Sequence, residues 1–279
     1  MAHWYCTERT PDGVPGEPRH KQPLKRPAKD GRTTTDTTLR HARVQYLAPS
    51  VNGVSDFRAK HQLNRWQRER LFDACVNQAG LFSHINDRTF DNVKATVFAE
   101  YEAIVTKDRD EGTRLHDLIN KAFEGKYPQP AEGDDWEIVY AATSTALKLR
   151  EEHGGRVIVD FKTTNKSEEE FEDLKLWDDH HIQLAAYREM LRTRRINKWE
   201  SEVPYVHPLG FGGTVDFVAE ATPNAVTPKT HCFIVYLNTR HPGQVKVVQS
   251  SDDELDLGWE QFKALLVCWK LFNSYDASY

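Results

Sequence analysis

From Asp56 onward, apolar residues recur with a helical period. Leu63, Trp66, Leu71, Cys75 and Val76 fall near one face and predict a first helix. A second helix is predicted over 89–105 and a third over 111–124, closed by Gly125 and Pro128. A fourth runs from Asp135 to His153 and stops at Gly154-Gly155. The texture then changes. Val157-Ile158-Val159 is a β-branched run ending in Asp160, the pattern of a buried strand. Residues 179–193 return to helical amphipathicity, and strand-like segments follow at 203–207, 213–220, 231–238 and 244–249. A closing helix over 252–273 carries Leu255, Trp259, Phe262, Leu265, Leu266 and Trp269. Its aromatic residues, Trp259, Phe262, Trp269 and Phe272, read as core rather than as a base-stacking platform. Residues 1–45, rich in Pro, Gly, Thr and basic residues, hold no sustained period and read as loop, with short strands near Trp4 and Tyr5. The expected organisation is a loop-rich leader over 1–45 and one α/β domain over 46–279. Within that domain a helical part (56–153) feeds a sheet-containing part (154–279).

Charge sharpens this division. The chain of 279 residues has a net charge of −5. Residues 1–70 hold 14 Lys+Arg against 7 Asp+Glu, leaving 23 against 35 for the remainder. A basic front suits contact with phosphates, or is simply a solvated tail; the acidic remainder suits cations. No run approaches the roughly 18 apolar residues of a membrane helix. The first residues, MAHWYCTERT, lack the basic start and apolar stretch of a secretory signal, so a cytoplasmic location is expected. Cys6, Cys75, Cys232 and Cys268 are far apart and form no C-x-x-C pair, which fits reduced thiols better than a zinc site or disulfide framework.

Three acid-x-Lys triplets occur: Glu124-Gly-Lys126, Asp160-Phe-Lys162 and Asp173-Leu-Lys175. The first sits at a helix end, and the third in the acidic stretch KSEEEFEDLK. Only Asp160-Phe-Lys162 ends a buried strand, where the period of two turns both charged groups to one side. A carboxylate there can hold a cation, while the lysine orients water or stabilises charge on a phosphate in the transition state. The bland alternative is a salt-bridged strand end. Further along, HHIQLAAYREML places Gln183 and Tyr187 on one helical face. LGFGGTVDFVAE places Asp216 in a strand entered through Gly210, Gly212 and Gly213, which permit close approach by another backbone or a phosphate. Upstream, EGTRLHDLIN puts His116 on a helix beginning near Gly112-Thr113. His180-His181 point about 100° apart on a helix and do not chelate together. No G-x-x-x-x-G-K-S/T loop is present, and G-F-G-G leads into a strand, which argues against a nucleotide-driven motor and a dinucleotide fold.

Taken jointly, G-T-R-L-H-D at 112–117, V-I-V-D-F-K-T-T at 157–164, Q-L-A-A-Y at 183–187 and G-G-T-V-D-F at 212–217 resemble the PD-(D/E)XK nuclease superfamily. The likeness is strongest to its RecB-like branch, which includes phage exonucleases, CRISPR adaptation nucleases and the mitochondrial genome maintenance exonuclease. LAPSVNGVSDF at 47–57 with LNRW at 63–66 is a weaker echo of the front of phage members. The resemblance implies a restriction-endonuclease-like core, a mixed central sheet flanked by helices, with a helical N-terminal portion. It implies a Mg²⁺- or Mn²⁺-dependent DNA nuclease, an exonuclease acting on single strands or free ends, working with replication or recombination proteins. His116, Asp216, Asp160 and the Phe161 carbonyl would bind metal, Lys162 would be catalytic, and Gln183 and Tyr187 would support the site or the DNA.

One departure matters. In the family the glycine-flanked aspartate strand precedes the D-x-K strand, whereas here Asp216 follows Asp160 and the Gln183/Tyr187 helix lies between. The same site forms only if strand 213–220 still lies against strand 157–161. Otherwise Asp134, Asp135 or Glu137 would have to supply the second acid, with Glu202 a further water or metal contact. The competing readings are a DNA-binding or recombination partner that keeps only the fold, and an endonuclease of restriction or repair type.

Overall fold

The computed structural model describes residues 4–9, 15–21, 26–27, 34–35, 42, 47–56, 61–126, 134–176, 179–192, 194, 196, 198–220 and 229–273. In chain order the elements begin with strands β1 (Trp4–Arg9), β2 (Pro15–Lys21), β3 (Arg26–Pro27), β4 (Thr34–Thr35) and β5 (Ala48–Pro49). Helices α1 (Val51–Ser55), α2 (His61–Asn77), α3 (Phe90–Phe123) and α4 (Asp134–Glu152) follow. Then come β6 (Arg156–Thr164), α5 (Glu168–Glu172), α6 (His180–Leu191), β7 (Trp199–His207), β8 (Phe211–Glu220), β9 (Thr230–Asn238), β10 (Val245–Ser250) and α7 (Asp252–Phe272). The fold is α/β with a mixed central sheet flanked by helices.

By compactness the chain divides into Ala59–Leu118 and a larger unit of Met1–Arg58 with Ile119–Tyr279. The smaller unit holds α2, a 3-10 turn at Ala79–His84 and most of α3. An Asn77 side-chain amide donates to Glu100 across the helix pair at 2.9 Å. The two helices expected over 89–105 and 111–124 are one continuous helix of 34 residues. Gly112 costs the helix about 1 kcal/mol relative to Ala, and that local penalty does not break it. The Thr113 hydroxyl donates to the Arg109 carbonyl at 3.0 Å, so its polar group is satisfied without leaving the helix.

In the larger unit the sheet order is β10-β9-β6-β8-β7, with β6 parallel to β9 and antiparallel to β8. The strand alternation explains how β6 is buried on both faces. Ile158 joins Ile234 and Tyr236 of β9, Ile182 and Leu184 of α6, and Leu255 and Phe262 of α7 in one apolar cluster. On the other face Phe123, in the last turn of α3, stacks on Phe217 at 4.7 Å and on Phe161 at 6.5 Å. Each fully buried Ile or Phe of this kind contributes about 1.5–3 kcal/mol. Helix α7 starts at a capping box, in which Ser251 and Glu254 satisfy each other's backbone N–H groups. Phe262 and Trp269 are core as expected and Trp259 is half-buried, but Phe272 is 78% exposed because the helix ends there.

The leader contributes more than loop. β1 pairs with β2 and with β5, and Ser50, just after β5, bridges to Gly212 of β8. Trp4 is buried edge-on against Trp269 with ring centroids 6.1 Å apart. The rest of the leader expected over 1–45 lies outside the described residues.

A buried ion pair fixes the central strands in register. Arg156 and Glu220 are directly paired across β6 and β8, and their side chains are 2% and 0% exposed. The Arg156 guanidinium donates to the Glu220 carboxylate (Nε at 2.8 Å) and also to the carbonyls of Leu191 and of Arg194, the latter at 2.6 Å. One cation thus joins β6, β8 and the C-terminal end of α6, where carbonyls carry the negative pole of the helix. Removing one partner from such a pair leaves a buried unpaired charge, at a cost of about 3–5 kcal/mol. Arg156→Met should therefore lower unfolding free energy in urea by that amount. Arg156→Met with Glu220→Leu should recover most of the loss; a double variant as unstable as the single would show that the guanidinium's carbonyl bonds dominate instead.

Candidate active site

The register that starts at Arg156↔Glu220 continues to Val159↔Phe217. One further step sets Asp160 opposite Asp216. Directly opposed residues on neighbouring strands share a face. The Asp216 Oδ2 accepts the backbone N–H of Phe161 at 2.7 Å, which ties the second aspartate to the residue after the first. The strand containing Asp216 is the immediate neighbour of β6, the arrangement in which the sequence expectation falls on Asp216 rather than on Asp134, Asp135 or Glu137 of α4.

Asp160 is almost fully buried at 3% exposure. Lys162 Nζ stands 2.7 Å from Oδ2, the arrangement the strand period predicts for residues two apart. Gln183 Nε2 donates to Oδ1 at 3.2 Å and to the Tyr187 hydroxyl at 2.8 Å. Gln183 and Tyr187 are one helical turn apart on the buried face of α6, as expected. Burial opposes the charge on Lys162, but Asp160 foremost, with Asp216 and Asp179, outweighs it and holds the ammonium above its ordinary pKa. Burial, reinforced by the negative charge of Asp160, pushes the Tyr187 phenol well above its usual value, so it remains neutral.

The glycines before Asp216 have a different use from the one expected. A Cβ on Gly212 would lie 2.5 Å from the Cγ of Tyr5, and a Cβ on Gly213 would lie 2.8 Å from the Cε1 of Tyr187. Aromatic rings, not a phosphate, occupy the space those residues leave open.

Glu202 sits opposite Asp216 on the other side, since Ser201↔Phe217 and Val203↔Val215 bracket it. Its φ of 45° is left-handed, a conformation that costs a non-glycine residue of order 1–3 kcal/mol. The pairing of β7 with β8 is interrupted at Glu202 and Asp216. His116 is half-buried on α3 within the smaller unit, in mid-helix rather than near a helix start. His180 and His181 diverge: His180 Nδ1 is 2.9 Å from the Tyr236 hydroxyl, and His181 Nε2 is 3.3 Å from Gln261 Oε1. The other two triplets lie elsewhere, Lys126 pairing with Glu124 at the exposed end of α3. Burial pushes the Cys232 thiol up to about 12, which makes it an inert core residue.

Sequence reasoning missed two contributors. Asp179 precedes Gln183 by four residues, so the spacing Asp179, Gln183, Tyr187 was a readable signal of one helical face. Tyr5 had no such signal, because its partner Thr214 is far along the chain; their hydroxyl oxygens are 3.3 Å apart.

Among the described residues no group of three or more His, Cys, Asp and Glu is placed to hold a metal ion. Carboxylate oxygens are ligands of the kind a hard cation such as Mg²⁺ takes. No protein-family model matches the chain, and comparison with curated proteins gives no match.

The Phe161 N–H needs an acceptor, while two facing carboxylates repel. Asp216→Asn keeps the acceptor and removes one charge, so it should match wild-type stability or exceed it by up to about 1 kcal/mol. Asp216→Leu strands the N–H and should cost about 1–3 kcal/mol. Chemical denaturation of both variants checks this, and an Asn variant less stable than the Leu variant would contradict it.

Proposed function

We propose that this protein is a divalent-metal-dependent DNA nuclease with a PD-(D/E)XK-type core, acting as an exonuclease on single strands or free ends. The observation that carries the reading is the pairing of β8 with β6 in the register that sets Asp216 opposite Asp160, beside Lys162, despite the reversed chain order. The preference for ends rests on the resemblance alone.

In this reading Asp160, Asp216 and the Phe161 carbonyl would hold Mg²⁺ or Mn²⁺. When bound, the ion supplies Lewis-acid polarisation of the phosphate and lowers the pKa of water. Lys162, kept protonated by Asp160, donates to a phosphate oxygen as negative charge builds there. Gln183 fixes the Asp160 carboxylate from behind, and Tyr187 fixes Gln183. The net reaction forms one P–O bond from water and breaks one P–O ester bond. A water proton goes to solvent, and the leaving oxygen gains a proton.

Digestion of end-labelled DNA with and without Mg²⁺ tests the reading. Mononucleotide release from an end supports an exonuclease; internal fragments indicate an endonuclease. Binding without cleavage at any metal concentration would leave a DNA-binding partner. Loss of one key electrostatic group typically lowers turnover by about 10²–10³. Lys162→Ala should fall by that factor while its circular dichroism remains that of the wild type. Near-normal turnover by the folded variant would refute the role.

His116 has its own test. Imidazole suits Mn²⁺ better than Mg²⁺. If His116 is a ligand, His116→Ala should raise the metal concentration needed for half-maximal cleavage, and high Mn²⁺ should restore part of the rate. Titration curves that superimpose on the wild type for both ions would return His116 to a structural role.

A further inference from the structure

We infer that Tyr5, in the leader strand β1, is a positioning residue for Asp216; its link to catalysis rests on the nuclease reading above. Three observations converge on it. Tyr5 is 4% exposed, and its ring lies against Gly212 so closely that any Cβ there would fall 2.5–2.8 Å from three of its side-chain carbons. Its hydroxyl is 3.3 Å from Thr214 Oγ1, and Thr214 precedes Asp216 by two residues on β8. Burial pushes the Tyr5 phenol up to about 12, so it is a neutral hydroxyl at any working pH.

The arrangement mirrors what stands behind Asp160. Two successive glycines admit two tyrosines, Tyr5 at Gly212 and Tyr187 at Gly213. Tyr187 steadies Gln183, which holds Asp160. Tyr5 steadies Thr214, which sets the strand carrying Asp216. A purely packing tyrosine would need only its ring against Gly212; the hydroxyl bond to Thr214 is the part that serves the site.

Tyr5→Phe isolates that part, because it keeps the ring and removes the hydroxyl. The reporter is the Phe161 amide, whose proton Asp216 accepts. In ¹⁵N-labelled, metal-free full-length protein, the Phe161 amide proton of Tyr5→Phe should move upfield. It should also exchange with solvent about three- to tenfold faster, the equilibrium weight of one neutral hydrogen bond. The Ile158 amide, two turns of the pleat away, should be unchanged. Mn²⁺ affinity measured by calorimetry should weaken, and kcat should fall, each by about the same factor, with KM for DNA unaltered. Thr214→Val should reproduce these changes, and the double variant should be no worse than either single, since both remove one bond.

A folded Tyr5→Phe protein with a wild-type Phe161 amide would overturn the inference. So would a double variant whose effects simply add. If the wild type neither binds Mn²⁺ nor cleaves DNA, the nuclease reading fails by itself, and the Phe161 amide still decides the place of Tyr5.

Discussion

The buried pair of Arg156 and Glu220 is the constraint on which the rest of this molecule turns. Strand pairing repeats every two residues, so a slip of one would turn every side chain of β8 to the opposite face. Apolar residues alone resist such a slip weakly here, because β6 and β8 are buried on both faces and either face accepts Val or Phe. A charge at 2% exposure cannot slip, since losing its partner costs more than any repacking could return. Four residues further along each strand, that fixed register delivers Asp160 and Asp216 to each other. The same guanidinium holds the carbonyl end of α6, the helix that brings Gln183 to Asp160 and Tyr187 to Gln183.

The site itself is a place of managed electrostatic conflict. Asp160, Asp216 and Asp179 all act on a single ammonium, that of Lys162. Two carboxylates facing each other on adjacent strands destabilise a sheet, and the left-handed backbone of Glu202 beside them adds strain. What offsets the conflict is neutral and directional: the Phe161 N–H on Asp216, the Gln183 amide on Asp160, and the neutral Tyr187 phenol that accepts from Gln183. Such bonds orient the carboxylates without cancelling their charge, which leaves them able to attract a cation.

Most of the architecture was legible because its signals are local. The β-branched run before Asp160, the amphipathic α6 and the strand containing Asp216 each declare themselves within about ten residues. Local signals also misled. Gly112-Thr113 reads as a break, yet α3 continues through it, since packing along a long helix outweighs about 1 kcal/mol of propensity. Gly212 and Gly213 read as room for a phosphate, and the rings that fill the space come from β1 and α6. Arg156 and Glu220 were unreadable as a pair, being 64 residues apart with nothing in either neighbourhood to name the other. The strain at Glu202 was equally hidden, because backbone conformation in an edge strand follows from the ladder around it.

The order in which the two aspartate strands occur along the chain matters little to the sheet. β6 is flanked by β9 in parallel and β8 antiparallel, and neither neighbour is joined to it directly. The chain leaves β6, forms α5 and α6, and returns through β7 into a hairpin that docks on the free side of β6. A hairpin is a unit that brings its own register through its turn, so its place in the chain is secondary to how it docks. Docking is specified at one end by Arg156 and Glu220 and at the other by Tyr5 and Tyr187 against the glycine pair. Tyr5 reaches the hairpin from the opposite end of the sequence, and Tyr187 from the helix just before it. The site is therefore assembled from contacts indifferent to chain order, and the geometry of the two carboxylates is inherited from those contacts rather than from connectivity.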